Sequence, residues 1–406
     1  MRGHRDDWDF FARETGDPVW GHDNVRTLFD RIEKGPMWVQ DTQDIHPYGE
    51  AVLAAAEEAG FPRHGNPNGA LMESERGAAP RQEIIRDGRR QSPYRSYVAN
   101  RPRPNLTVLH SALVTEVLFE KNRAAGVRLR HGGRTLDVHA THEVVLSLGA
   151  VNTPKTLMLS GVGDAAHLSE HGIPVRVHSP GVGRNLNDHA LLDHLWEATA
   201  DADLSGPLEA RAGVFWNLTD TAGDPPVVMY STGRAQASPT IAAQGGLPER
   251  AAKFLIGMKM HNTGRVRLAS ADPAVNPLID TGYFTDPADI DSALRALETA
   301  RAIGTAGPLR PYLKAEALPG PVGRAATVDY LRDVVQTFWH QSGTARMGRD
   351  DSAVVDSRLR VIGCDGLRVA DASVLPRVTV ANTMAPSVLV GEQAATFLRA
   401  DHGLTG

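Results

Sequence analysis

The stretch from Phe338 to Pro386 constrains the fold more than any other part of the chain. Leu359 to Ile362 and Leu367 to Val369 are short alternating apolar runs. Between them, Gly363-Cys364-Asp365-Gly366 has hairpin-turn chemistry. The second run leads into Asp371, and strand C-termini in α/β proteins present polar groups to ligands. Pro386 suits the first turn of a helix, where its missing N–H does no harm. Val388, Gly391, Ala395 and Leu398 recur at helical spacing and predict the buried face of that helix. Its N-terminus would carry partial positive charge and unpaired N–H groups, which suit a developing anion. Asn382 stands just before it, and His340 heads a polar, glycine-containing run upstream. Taken alone, His340 is one of 16 histidines and reads as packing beside Trp339.

The whole constellation reads differently. His340-Gln341-Ser342-Gly343-Thr344-Ala345-Arg346-Met347-Gly348, then Leu367-Arg368-Val369-Ala370-Asp371-Ala372-Ser373-Val374, then Asn382-Thr383-Met384-Ala385-Pro386, resembles the C-terminal signature of the glucose-methanol-choline (GMC) flavin oxidoreductases. A second match runs from Gly149 to Gly163 (GAVNTPKTLMLSGVG) and on through Pro180 to His189 (PGVGRNLNDH). The likeness extends from Arg2 over nearly the entire chain. It departs at Thr156, where an aliphatic residue is more usual, and at Met384, where a second asparagine is common. The resemblance implies FAD as cofactor, His340 as catalytic base and Asn382 as the residue holding the substrate oxygen. It also places Asp371, Ala372, Thr383 and Trp339 against the flavin, and Val114 beside the adenine through its backbone. Read from the residues alone, Val114 is a core valine.

A GMC-like fold of the α/β (α+β) class is therefore expected: an incomplete Rossmann-type FAD domain interleaved with an antiparallel-sheet substrate domain. The expected division is residues 1–100 as a mostly helical N-terminal part interleaved with the substrate domain, 101–187 and 346–406 as portions of the FAD domain, and 188–345 as the substrate domain. The dinucleotide-binding turn Gly-x-Gly-x-x-Gly that should follow an opening strand is not found. Gly161-Val162-Gly163 and Gly181-Val182-Gly183 come nearest, and neither continues to a third glycine at the right place. The chain thus resembles a family member lacking its N-terminal nucleotide-binding unit, with a missing segment or a partner chain as the expectation.

Along the chain, Asp7 to Glu33 reads as two helices broken at Asp17-Pro18 and Gly21, and Trp38-Val39 as a short strand. Pro47 to Gly60 reads as a helix, Gly65 to Gly77 as a loop, and Arg86 to Arg90 as a solvated turn. Leu106 to Phe119 is strand-rich, a hairpin turns at His131-Gly132-Gly133, and Val144 to Leu148 has the continuous apolar character of a buried strand. Thr153-Pro154 should start a helix. Leu255 to Met260 and Gly264 to Leu268 alternate as antiparallel strands, while Asp286 to Ala306 and Thr327 to Val335 are helical. His167 and His171 stand four apart on a short helix and read as a surface pair, so no metal site is expected.

A net charge of −5 gives no cause to expect nucleic acid or an anionic membrane. No apolar run is long enough to span a bilayer. One cysteine, Cys364, cannot form an internal disulfide, and a reducing, cytoplasmic setting is expected. The function expected is oxidation of the CH–OH group of an alcohol. The alternatives are an inactive or partner-dependent fragment of such an enzyme, and a hydroxynitrile lyase-like member. The alcohol and the electron acceptor are not legible.

Overall fold

The computed structural model describes residues 1–73, 76–204, 211–218, 227–233, 235, 238–243 and 247–404. Helix α1 (Arg5–Thr15) starts in a reciprocal cap: the His4 ring accepts from the Asp6 N–H, and the Asp7 carboxylate accepts from the His4 N–H. Gly16, at φ +67°, ends it. Helix α2 is His22–Lys34. The expected strand at Trp38-Val39 does not form. Met37 and Val39 donate to Ile32 and Glu33, so this segment is still tied to the end of α2, and pairing begins only at Gln40–Asp41.

Helix α3 (Pro47–Glu58) precedes strand β1 (Arg76–Pro80), and a helical turn at Ala70–Glu73 interrupts the expected loop between them. Strands β2 (Leu113–Glu120), β3 (Arg123–His131) and β4 (Arg134–His139) form an antiparallel sheet that turns at Gly132 and Gly133, both at positive φ. Leu106 and Val108, read as strand, are exposed and irregular, following Pro102 and Pro104, which lack N–H donors. Strand β5 (Val144–Leu146) pairs in parallel with Leu367–Val369. It is not buried throughout as expected: Val145 and Leu148 are exposed, because among the described residues β5 is paired along one edge only.

Helix α4 (Gly149–Leu159) starts before the predicted Thr153-Pro154, and Pro154 lies inside it. The missing N–H of Pro154 leaves the Ala150 carbonyl free, and Thr344 Oγ1 donates to that carbonyl at 2.6 Å. The paired glycines that came nearest to a nucleotide turn serve close backbone packing. A Cβ on Gly181 would stand 2.0 Å from the Ser352 carbonyl oxygen, and one on Gly183 would stand 2.2 Å from that of Val266.

Strands β6 (His189–Ala198), β7 (Ala212–Trp216), β8 (Val227–Thr232) and β9 (Ala251–Lys259) make the centre of the large sheet. After it come α5 (Pro287–Thr305), β10 (Leu313–Leu318), α6 (Arg324–Val334) and β11 (Gln336–Thr337). Among the described residues the antiparallel sheet has seven strands and runs β10-β6-β9-β8-β7-β1, with β11 also pairing β6. A strand expected over Pro226 to Tyr230 from its run of Val, Met and Tyr forms from Val227, and Pro226 lies outside the described residues, as does part of 198–246. Gly264 to Leu268 does not pair with β9. Beyond β9, the His261 N–H donates to Asp289 on α5 and draws the chain out of the sheet, and Arg265–Arg267 pairs instead with Leu278–Asp280.

The C-terminal hairpin is reduced. Strand β12 (Leu367–Val369) forms, while the Leu359 to Ile362 run contributes only bridging bonds such as Val361 N–H to the Leu367 carbonyl. Helix α7 (Met384–His402) buries Pro386, Leu389, Val390, Gln393, Ala394 and Phe397. The predicted stripe was wrong: Gly391 is exposed and Val388 only partly buried. Both sets fit helical periodicity, and the larger side chains decide the face, with Phe397 edge-on to Trp20. None of the helices in the described residues is long and apolar enough to cross a membrane.

Among the described residues, three clusters organise the interior. One fills the space between the sheet and α3, α5 and α6. A second joins α1, α2, β5, β12, α4 and α7. A small third one, with Leu71, Leu191, Phe215, Val228, Tyr230, Phe338 and Ala381, lies on the opposite face of the sheet, and the candidate site is built around it.

Candidate active site

Side chains alternate across β6. Ala190, Leu192 and Trp196 join the helix-side core, whereas Leu191 joins the small cluster. His189 is on the same side as Leu191. The segment after β11 reaches this face through an unusual turn. Trp339 takes φ +58°, rare for an aromatic residue, so Phe338 and His340 turn inward while the Trp339 ring is 68% exposed. Phe338 lies over Gly257 of β9, where a Cβ would stand 2.4 Å from its ring. The His340 ring packs on Phe338, with centroids 4.8 Å apart and planes at 34°. The ring neighbour of His340 is thus Phe338, not Trp339.

The Asp188 carboxylate fixes the backbone here. It accepts from His340 N–H at 2.9 Å, Tyr283 O–H at 2.8 Å and Thr337 Oγ1 at 2.5 Å. Burial still raises the Asp188 pKa above the usual carboxylate value, the hydrogen bonds opposing that shift.

The side chains of His340 and Asn382 meet. Asn382 Nδ2 lies 2.9 Å from His340 Nε2, and Asn382 Oδ1 accepts from the Tyr230 hydroxyl at 2.7 Å. Burial pushes the Tyr230 phenol up to about 12, so it remains a donor. Arg81 lies over the Tyr230 ring, 4.4 Å from its centroid. On its other side, His340 Nδ1 is 2.9 Å from Nδ1 of His189. His340 is 6% exposed, and burial lowers its pKa to about 4, so the ring is neutral at neutral pH.

The other predicted positions lie close along the same seam. The Asp371 carboxylate does not point outward from its strand end. It is taken up by Gly149 N–H at 3.0 Å, Thr153 Oγ1 at 2.6 Å and Ser373 N–H at 2.7 Å, so it caps α4 and the turn after β12. The Ala372 carbonyl accepts from Gly343 N–H, tying the loop after His340 to the end of β12. Thr383 precedes α7, and its carbonyl accepts from Ser387. Val114 lies apart from these, on a cavity of about 260 Å³ that is also lined by Val127, Val138, Val145 and Leu148. Sequence reasoning gave no role to His189, Tyr230 or Asp188. His189 and Asp188 were visible as the end of the Pro180–His189 motif, while Tyr230 carried no signal of its own.

His167 is buried rather than a surface residue, and Glu170 completes a three-residue cluster with His171 that the sequence pattern did not reveal. Arg267 Nη2 stands 2.9 Å from His167 Nδ1 and 2.8 Å from Glu170, and His167 Nε2 accepts from Leu268 N–H. The ring nitrogens of His167 and the Glu170 carboxylate are thus engaged within the protein.

Comparison with known proteins agrees with this architecture. Family models described as GMC oxidoreductase match residues 1–191 and 261–391, and the chain belongs to the GMC oxidoreductases. It is 32% identical to an alcohol dehydrogenase [acceptor] of Pseudomonas putida, over 98% of this chain and 79% of that protein. It is also 32% identical to an oxygen-dependent choline dehydrogenase of Brucella ovis, over 98% of this chain and 78% of that protein. Among solved structures, pyridoxine 4-oxidase from Mesorbium loti superposes with a TM-score of 0.88 at 29% identity, covering 100% of this chain and 82% of that one.

Proposed function

We propose that the protein oxidises the CH–OH group of an alcohol with FAD as cofactor, His340 taking the hydroxyl proton and Asn382 holding the developing alkoxide. The observation that carries this reading is the 2.9 Å approach of Asn382 Nδ2 to His340 Nε2. A basic lone pair and a hydrogen-bond donor there are engaged with each other in the free protein. An alcohol that takes the place of this mutual hydrogen bond gives its proton to Nε2 and accepts from the amide. The neutral imidazole is ready to accept. Burial opposes the imidazolium only until the alkoxide forms beside it, because an adjacent opposite charge favours the charged ring.

The residues fit the flavin end of FAD. Ser342 Oγ and Ser373 Oγ are buried without partners among the described residues, a Cβ on Gly149 would meet nothing, and α7 points its N-terminus toward Asn382. The backbones of Asp371, Ala372 and Thr383, with Trp339, would hold that end, and Val114 would face the adenine. When bound, the flavin supplies the hydride acceptor. The chain's own part is to place the alcohol, take its proton and keep water out. The division at residues 100, 187 and 345 belongs to the same proposal.

One observation favours a second reading, in which activity needs a further polypeptide segment. The edge of β5 left unpaired among the described residues, with exposed Val138, Val145 and Leu148 beside it, is the kind of strand edge that recruits another strand. Flavin absorbance in the purified chain counts against that reading. For the main one, His340→Ala should abolish alcohol-driven flavin reduction, and an unchanged rate overturns the assignment of the base.

A further inference from the structure

We infer that His189 is a positioning residue for His340: its Nδ1 accepts the Nδ1–H of His340 and so keeps the Nε2 lone pair aimed at Asn382 and the substrate. The inference rests on the reading of His340 as the base, and it follows from the order of protons along one chain of buried groups. A neutral imidazole has one donor and one acceptor nitrogen. Tyr230 donates its hydroxyl to Asn382 Oδ1 at 2.7 Å, which leaves the amide Nδ2 toward His340. That amide donates to His340 Nε2 at 2.9 Å, so Nε2 carries the lone pair and Nδ1 the proton. The next contact is Nδ1 to Nδ1 at 2.9 Å, where His189 must accept. The proton of His189 is then on Nε2, a fully buried atom with no hydrogen-bond partner among the described residues.

The reverse order is poorer. With the Asn382 amide turned round, Nδ2 would donate to the Tyr230 oxygen, and among the described residues the phenol proton would have only the Met1 thioether at 3.8 Å. His340 would also present N–H, not a lone pair, to an entering alcohol.

The two imidazole planes are nearly perpendicular, at 89° with centroids 5.1 Å apart, and the two Nδ1 atoms are where they approach within hydrogen-bond distance. His189 itself is held. Its backbone lies in β6 opposite Lys259, and its carbonyl accepts from Phe338 N–H at 3.0 Å. Burial first, and then the His340 charge and Lys259 on β9, oppose protonation of His189. His189 therefore stays a neutral acceptor while His340 gains its proton, and the hydrogen bond between them strengthens as it becomes charge-assisted. Two consecutive residues thus act on His340 in different ways, Asp188 holding its backbone and His189 orienting its ring.

The test is nitrogen NMR on the full chain labelled with ¹⁵N-histidine, reading the tautomer of His340 at neutral pH with His340→Gln to assign the signal. The wild type should show Nδ1–H. In His189→Ala the ratio of Nδ1–H to Nε2–H tautomer should fall about tenfold, the scale of one neutral hydrogen bond. His189→Asn, whose amide oxygen can accept, should restore most of it. A wild-type His340 in the Nε2–H form overturns the inference without any variant, and so does an unchanged ratio in a folded His189→Ala. If the tautomer behaves as stated but His340→Ala still oxidises alcohol, the base assignment fails and the positioning contact stands.

Discussion

Burial of His340 makes the protein's stability depend on pH in a calculable way. Its pKa is lowered from 6.5 to about 4, and the first cause is desolvation. Below about 6.5 the unfolded chain takes up this proton, whereas the folded protein resists it until about 4. The contribution is therefore complete above 6.5 and is lost as pH falls. Integrating the two titrations gives a loss of about 2 kcal/mol between pH 7 and pH 5 from this ring alone. His189 adds a loss of the same sign, so the informative quantity is a difference between two proteins. Urea unfolding of the wild type and of His340→Gln at pH 7, 6 and 5 isolates it. The wild type should lose about 2 kcal/mol more than the variant over that range. A gap between the two proteins that stays constant across the three pH values refutes the account, because it would mean that His340 is as readily protonated folded as unfolded.

Tyr230→Phe removes the donor to Asn382 Oδ1 and frees the amide to turn, so kcat/KM for alcohol oxidation should fall about tenfold with the fold retained. An unchanged kcat/KM would show that Tyr230 does not orient the amide. Thr344→Val leaves the Ala150 carbonyl, already abandoned by Pro154, without its hydroxyl partner. Its unfolding free energy should drop by about 1–3 kcal/mol, read from the denaturant midpoint at unchanged slope.

Much of this molecule was legible because certain residues leave few options. Asp286-Pro287 starts a helix, Gly132-Gly133 turns a hairpin, and the chain from Leu367 to Pro386 leads from strand to helix start as read. What misled was apolar pattern without knowledge of partners. Val144 to Leu148 reads as fully buried, but burial belongs to a strand with neighbours on both edges. The stripe on α7 was placed on the wrong face because period alone cannot say which of two adjacent apolar rows holds the larger side chains. Pro154 was read as a helix start because the compensating hydroxyl of Thr344 lies 194 positions along the chain from the Ala150 carbonyl it serves. In the site, His340 and Asn382 could be named and their side chains do meet. The groups that set their protons, His189 and Tyr230, come from two strands of the large sheet, and only the register of those strands brings them alongside.

Gly257 never touches the reacting groups, yet the depth at which Phe338 rests is set by the absence of a side chain there. Even one methyl group at that point would lift the aromatic ring and carry the imidazole stacked on it away from the carboxamide. Attempts to reshape this enzyme for bulkier molecules therefore have a fixed floor at position 257, and room must be sought by remodelling the walls.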